Sequence, residues 1–184
     1  MTASKKLTPL TMAQIAVCTA LLCVLSPIAI PSPILVPITL QVLAVVLTAL
    51  ILPAPHAVAA QLLYTVLGIC GLPVFSGGKS GFAAIASPTG GFIIGFIIAS
   101  LLISLLKGSG EGKGAVLRFI LVSVFVGIPA VYIPGILWFA FIQQVDVLTS
   151  AKLVAASFIL LDIAKCVAAA LIAIPVRKAL KHIK

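Results

Sequence analysis

Residues Leu153–Val176 read LVAASFILLDIAKCVAAALIAIPV, and the fold turns on them. The stretch is apolar except for one acid and one base, and it is long enough to cross the roughly 30 Å hydrocarbon core of a bilayer as one helix. Asp162 and Lys165 are the only two charges set deep in apolar sequence. Each costs on the order of 2.5 to 3.5 kcal/mol at the centre of a membrane helix, so neither position is neutral. Three residues apart, the two side chains project within about 60° of one another and can pair. A pair that merely lowers its own insertion cost is one reading. Inside a membrane the other reading, a polar spot kept for function, carries more weight. Phe158 and Ala169 extend the same face by about one turn each way, an apolar wall for a small polar ligand with an apolar body.

Composition supports the membrane assignment. With 62% hydrophobic and 8% charged residues among 184, and a mean hydropathy of +1.36, the chain reads as an all-α integral membrane protein of the cell membrane, one membrane domain over residues 1–184. A net charge of +9 would suggest nucleic acid in a soluble chain; here the basic residues gather at the termini and in one loop beside apolar spans, where they are a topology signal. Cys18, Cys23, Cys70 and Cys166 lie in apolar runs without a C-x-x-C pair, so neither a disulfide framework nor a zinc site is expected. The chain's three acids, and its two histidines His56 and His182 near the membrane edges, form no nucleophile and base pair and no metal cluster. No enzyme, cofactor or metal is read from them. Met1–Lys6 followed by an apolar segment has the outline of a signal peptide, but no A-x-A-like site follows it, and the segment is read as retained.

Six spans are predicted, at about 12–30, 38–52, 57–71, 88–106, 115–142 and 153–176. Thr8 and Pro9 suit the start of the first, which carries Ala13, Ala16 and Ala20 on one side. Ala16 and Ala20 have the small-xxx-small spacing that lets another helix approach closely in lipid. Pro27, Pro31, Pro33 and Pro37 make 26–37 an irregular linker, and Thr39 and Gln41 open the second span beside it. A glutamine there can both donate to and accept from a cyclic amide or urea. Pro53, Ala54, Pro55 and His56 make a tight turn into the third span. Residues 68–95 are glycine-dense, as a loop that folds back on itself would be. Gly77, Gly78, Lys79 and Ser80 hint at a phosphate-binding loop, but Pro73 stands where that pattern needs glycine. Pro88 starts the fourth span, and Thr89, Gly90 and Gly91 leave first-turn amides open to a carboxylate or carbonyl. Gly127, Pro129, Pro134 and Gly135 kink the fifth near Tyr132, with Trp138 at an interface. Residues 143–151, with Asp146, form the last loop.

Six crossings put both termini on one side. Lys5, Lys6, Lys107, Lys113, Arg118, Arg177, Lys178, Lys181 and Lys184 then share that side, against Lys79 and Lys152 opposite, so the termini are cytoplasmic. The Pro-rich, Gly-rich and Asp146 loops face outward and can cap a cavity open to the exterior.

The run Gly71, Leu72, Pro73, Val74, Phe75, Ser76, Gly77, Gly78, followed by Ser87, Pro88, Thr89, Gly90, Gly91, Phe92 and then Gly95, Phe96, resembles the signature of the BioY family. These are the biotin-specific substrate-binding (S) components of energy-coupling factor (ECF) vitamin transporters. Val36 through Gln41, Pro134 through Trp138, and the acid and base of the sixth span add to the resemblance, which covers nearly the whole chain. Leu160 and Leu161 before Asp162, Pro53, and Ser87 depart from the family's usual residues, but no charge is lost. The resemblance implies a six-helix bundle that captures biotin from outside. It also implies work with a membrane-embedded coupling subunit and two cytoplasmic ATPases, docked through the Ala16 and Ala20 face. The chain has no ATP-binding motif of its own, in keeping with that.

On this reading Asp162 accepts from the urea N–H groups, Gln41 and loop backbone near Gly90 and Gly91 complete the ring's partners, and Thr39 is a further substrate-binding residue. Lys165 pairs with an anionic or carbonyl group, a role it could exchange with the backbone amides. Tyr132, Phe75 and Trp138 are the candidates for stacking on the ligand's apolar body. The alternative is a self-sufficient oligomeric transporter in which Asp162 carries a proton.

Overall fold

The computed structural model describes residues 8–32, 36–112 and 114–181. Lys5, Lys6, Pro33, Lys113, His182 and Lys184, which the sequence reading used, lie outside them. The described chain is helical apart from one small hairpin and short loops. Helix α1 is Pro9–Leu25; strands β1 (Ala29–Ile30) and β2 (Ile38–Thr39) pair antiparallel; α2 is Gln41–Ile51 and α3 Ala54–Ile69. A short 3-10 turn at Ser76–Gly78 and α4 (Phe82–Ile85) precede α5, Gly90–Leu106. Helix α6 (Ala115–Val122) continues through a π-turn at Ser123–Gly127 into α7 (Ile128–Gln143), and α8 is Val147–Lys181.

Local chemistry accounts for most of these limits. Thr8 caps α1, its hydroxyl accepting from the Thr11 N–H at 3.2 Å, with Pro9 at the first position. The first helix is therefore three residues longer at its start than expected, and it stops at Leu25, short of Ile30. The tail of the predicted span, and Ile38–Thr39 from the head of the next, instead form the hairpin, extended by Leu40 N–H donating to Ile28 O at 3.3 Å. Prolines on either side exclude helix there. The break in the long fifth segment falls earlier than its prolines suggest: Ile128 N–H reaches back to Ser123 O, a π-turn that leaves Pro129 in the first turn of α7. Helix α8 also starts earlier than the predicted Leu153. Asp146 caps it, accepting from Thr149 N–H at 2.8 Å, so the whole of 147–151 is helix and not loop.

Packing is organised around α2. Eight of its 11 residues are buried, as for a helix surrounded by others, and it packs on α8 and α5 and more lightly on α1 and α3. The outer helices carry the reverse pattern, with Val17, Leu62, Leu105, Leu117, Phe125, Leu137 and Leu160 exposed. A girdle of that kind is what lipid-facing surface requires. The most extensively packed helix pair is α5 and α7. A Cβ on Gly91 would lie 2.3 Å from Trp138 Cβ and 2.4 Å from Pro134 O, so only glycine permits that approach.

Candidate functional site

Toward one end of the bundle, α2, α5, α7, α8 and the loops before α2 and α5 enclose a pocket lined by Thr39, Gln41, Phe75, Ser76, Thr89, Phe92, Phe96, Tyr132, Phe158, Asp162 and Lys165, among others. Its cavity volume is about 50 Å³. The walls are mainly aromatic and aliphatic, with the hydroxyls of Thr39, Ser76 and Thr89, the Gln41 amide and the charged pair set among them.

The charged pair forms the floor. Lys165 Nζ donates to Asp162 Oδ1 at 2.7 Å, and Tyr132 Oη donates to Asp162 Oδ2 at 2.8 Å. The two charged side chains are only 13% and 5% exposed, so solvent screens them little. Each carboxylate oxygen has one partner and a second lone pair to offer, and the ammonium has N–H groups to spare. The pair therefore presents an acceptor and a donor side by side to the cavity.

A second polar chain holds the wall. Gln41 Nε2 donates to Tyr64 Oη at 2.7 Å, and Tyr64 Oη donates to Val74 O at 3.1 Å, which ties the N-terminal residue of α2 to the loop after α3. Phe75, next in that loop, meets Tyr64 edge to face with ring centroids 5.6 Å apart. Its ring occupies the place a side chain on Gly68 would take: a Cβ there would be 2.2 Å from Phe75 Cζ. Glycine at 68 thus seats the aromatic wall of the pocket.

Of the residues expected in a site, the structure brings together Asp162, Lys165, Gln41, Thr39, Tyr132 and Phe75. Gly90 and Gly91 adjoin it by sequence, but Gly90 faces Ile85 and Gly91 faces α7: Gly90 N–H donates to Ser87 O at 3.0 Å, and Thr89 lines the pocket in their stead. Trp138 is not in the lining; its Nε1 donates to Ser87 O at 3.0 Å and ties α7 to the turn before α5. Ala169 is buried in the core. Ala16 and Ala20 sit on the exposed face of α1, opposite the buried Ile15, Cys18, Thr19 and Leu22. Sequence reasoning missed Tyr64 and Ser76, and it expected a backbone amide from Thr89 where the structure places the residue in the lining. A tyrosine in mid-span, which must find a partner for its hydroxyl, was the available signal for the first. Among the described residues no group of three metal-ligating side chains occurs.

At the opposite end the cations behave differently. Lys107, counted by sequence as a loop charge, is 4% exposed, its Nζ donating to Ala49 O at 2.6 Å and to Leu52 O. Arg177 donates to Leu50 O at 2.7 Å and Ser109 O at 2.6 Å, and lies over the Phe119 ring. Lys181 pairs with Glu111.

Comparison with known proteins places this arrangement. The model of the family described as BioY matches residues 1–182. A relative from Lactococcus lactis subsp. cremoris, "Biotin transporter BioY2", is 40% identical over 168 residues, which cover 91% of this chain and 90% of the relative. "Probable biotin transporter BioY" of Bacillus subtilis is 36% identical over 171 residues, 92% of this chain and 91% of its own. Among solved structures, the "S-component for biotin from an ECF-type ABC transporter" superposes with a TM-score of 0.83 at 28% identity, covering 97% of this chain and 95% of that one.

Proposed function

The chain belongs to the BioY family, and from that premise we propose that it captures biotin for uptake as the S component of an ECF-type transporter in the cell membrane. It is a multi-pass membrane protein and not an enzyme; a coupling subunit and ATPase subunits supply the energy. One observation carries the reading of the site: a carboxylate and an ammonium 2.7 Å apart, side by side on the floor of an aromatic pocket. A cyclic urea offers N–H donors flanking a carbonyl acceptor, the complement of that pair. Asp162 accepts from a urea N–H, and Lys165 donates to the urea carbonyl. Tyr132 holds the second carboxylate oxygen in place, and Gln41, whose amide nitrogen is engaged by Tyr64, has its amide oxygen for the remaining ring N–H.

Phe75, Phe92, Phe96 and Phe158 then surround the thioether ring and aliphatic chain, and the carboxylate points to the mouth, where Thr39, Ser76 and Thr89 provide hydroxyls and the backbone near Gly90 and Gly91 lies close by. Since the ligand-free cavity is about 50 Å³, side chains of the wall rotate aside as the ligand seats.

Six crossings with cytoplasmic termini fit the charges: Lys107, Arg118, Arg177, Lys178 and Lys181 share the end opposite the pocket mouth, whereas Lys79 and Lys152 lie exposed near it. The pocket therefore opens outward. The exposed Ala16 and Ala20 face of α1 is where the coupling subunit docks, small residues allowing close helix approach. Calorimetric titration of the solubilised protein against a panel of vitamins tests the reading: biotin binds saturably with a stoichiometry near one, and the others do not. Binding of a different vitamin in preference to biotin would overturn it.

A further inference from the structure

The basic end of α2 is built in a way that substrate capture alone does not require. Helix α2 is about 16 Å long by its 11 residues, shorter than the hydrocarbon core, and Ala49, Leu50 and Leu52 at its end are buried, so its last carbonyls are shut off from bulk water. Such carbonyls must be satisfied from within the protein. They are met by Ser104 and Lys107 from the end of α5 and by Arg177 from α8: Ser104 Oγ to Ala49 O at 3.0 Å, Lys107 Nζ to Ala49 O at 2.6 Å and to Leu52 O, and Arg177 Nη1 to Leu50 O at 2.7 Å. Cations at a helix C-terminus also oppose the helix dipole. No carboxylate of the described residues pairs with Lys107. The other end of the same helix is Gln41, joined through Tyr64 to Val74 and the Phe75 wall.

We infer that Lys107, with Arg177, is a positioning residue for substrate capture: it anchors the inner end of α2, and through that rigid buried helix fixes Gln41 and the loop wall of the pocket. The inference rests on the biotin reading given above. Its physical content is preorganisation: an anchored α2 presents Gln41 and Phe75 in one arrangement before the ligand arrives, and a loose one must be ordered at the ligand's expense. Burial, with the Arg177 cation adding to it and Cys18 opposing it, holds the Lys107 ammonium down to about 7. Arg177 from α8 and Cys18 from α1 are the groups that face it; Arg118 bonds Leu106 O next to it, and His56 lies in the first turn of α3 beyond Leu52. The charged amine grips the carbonyls more strongly than the neutral one.

The test is biotin titration of the purified protein and of Lys107→Met and Lys107→Arg, each checked for monodisperse elution. Lys107→Met binds about tenfold more weakly, mainly through faster release, and Lys107→Arg recovers to within about threefold. Wild-type affinity falls as pH rises from about 6 to 8.5 while Lys107→Arg stays flat, with His56→Gln retaining the wild-type trend. Should Lys107→Met not fold, this pH comparison decides. Lys107→Met binding within twofold of wild type, or a Lys107→Arg profile as pH-dependent as wild type, would overturn the inference. Failure of wild type to bind biotin at all would instead sink the reading it rests on.

Discussion

Two lysines, one partly and one fully buried, stand near opposite ends of α2, and they are satisfied by different chemistry. Lys165 at the pocket end faces a carboxylate; Lys107 at the basic end faces backbone carbonyls. A side-chain partner can be shared with a ligand, because a carboxylate retains lone pairs and the two charges need only stay near each other. A helix terminus cannot be lent out without leaving its carbonyls bare in a dry interior. The first arrangement suits a site that opens and fills; the second suits an anchor.

Breaking each lysine should separate the two cases. Lys165→Met strands a buried carboxylate and lowers the stability of the ligand-free protein by about 3–5 kcal/mol, read as a fall in thermal midpoint in detergent. The double variant Asp162→Asn with Lys165→Met recovers most of that stability while remaining unable to bind biotin. Lys107→Met strands only dipoles and costs about 1–3 kcal/mol, so it folds. If both lysines cost the same, the contrast fails.

Smaller changes sharpen it. Tyr132→Phe removes one hydrogen bond to Asp162, about 1.5–3 kcal/mol for a charged acceptor, and weakens biotin roughly tenfold to a hundredfold by calorimetry. Gly68→Ala pushes the Phe75 ring toward the cavity; overpacking of about 1 kcal/mol predicts several-fold weaker binding with little change in midpoint. Asp146→Ala, far from both lysines, has the smallest effect. Thr149, through its hydroxyl and its backbone N–H, holds the Asp146 carboxyl below the usual carboxylate range. A depressed carboxylate stabilises the fold above its unfolded value near 3.9 and loses that contribution as pH falls through its folded value. The midpoint difference between wild type and Asp146→Ala is therefore small and constant at neutral pH and closes in strong acid, with biotin affinity unchanged throughout.

The same contrast explains what sequence could disclose. Asp162 and Lys165 were legible because each is costly in an apolar run and their spacing puts them on one face. Gln41 and Thr39 were legible as polar residues at a proline-flanked helix start. Lys107 was not, since a lysine just past an apolar span looks like a topology charge, and the backbone carbonyls it meets are invisible to residue type. Gly90 and Gly91 read in the sequence as backbone donors to a ligand, but what demands glycine there is Ile85 and the Trp138 and Pro134 surface of α7, as only packing reveals. The hairpin at residues 29–39 and the π-turn at Ser123–Gly127 depend on hydrogen bonds between backbone groups, which periodicity does not encode.

The most direct trial of the account is equilibrium binding of labelled biotin to wild type and to Asp162→Asn, which keeps the side chain's shape and removes its charge. Wild type should fill one site per chain, and the variant should bind about a hundredfold more weakly while eluting and melting as a folded protein. Equal affinity in a folded Asp162→Asn would contradict it: the charged pair would then be a fixture of the bundle, and the ligand would be held elsewhere.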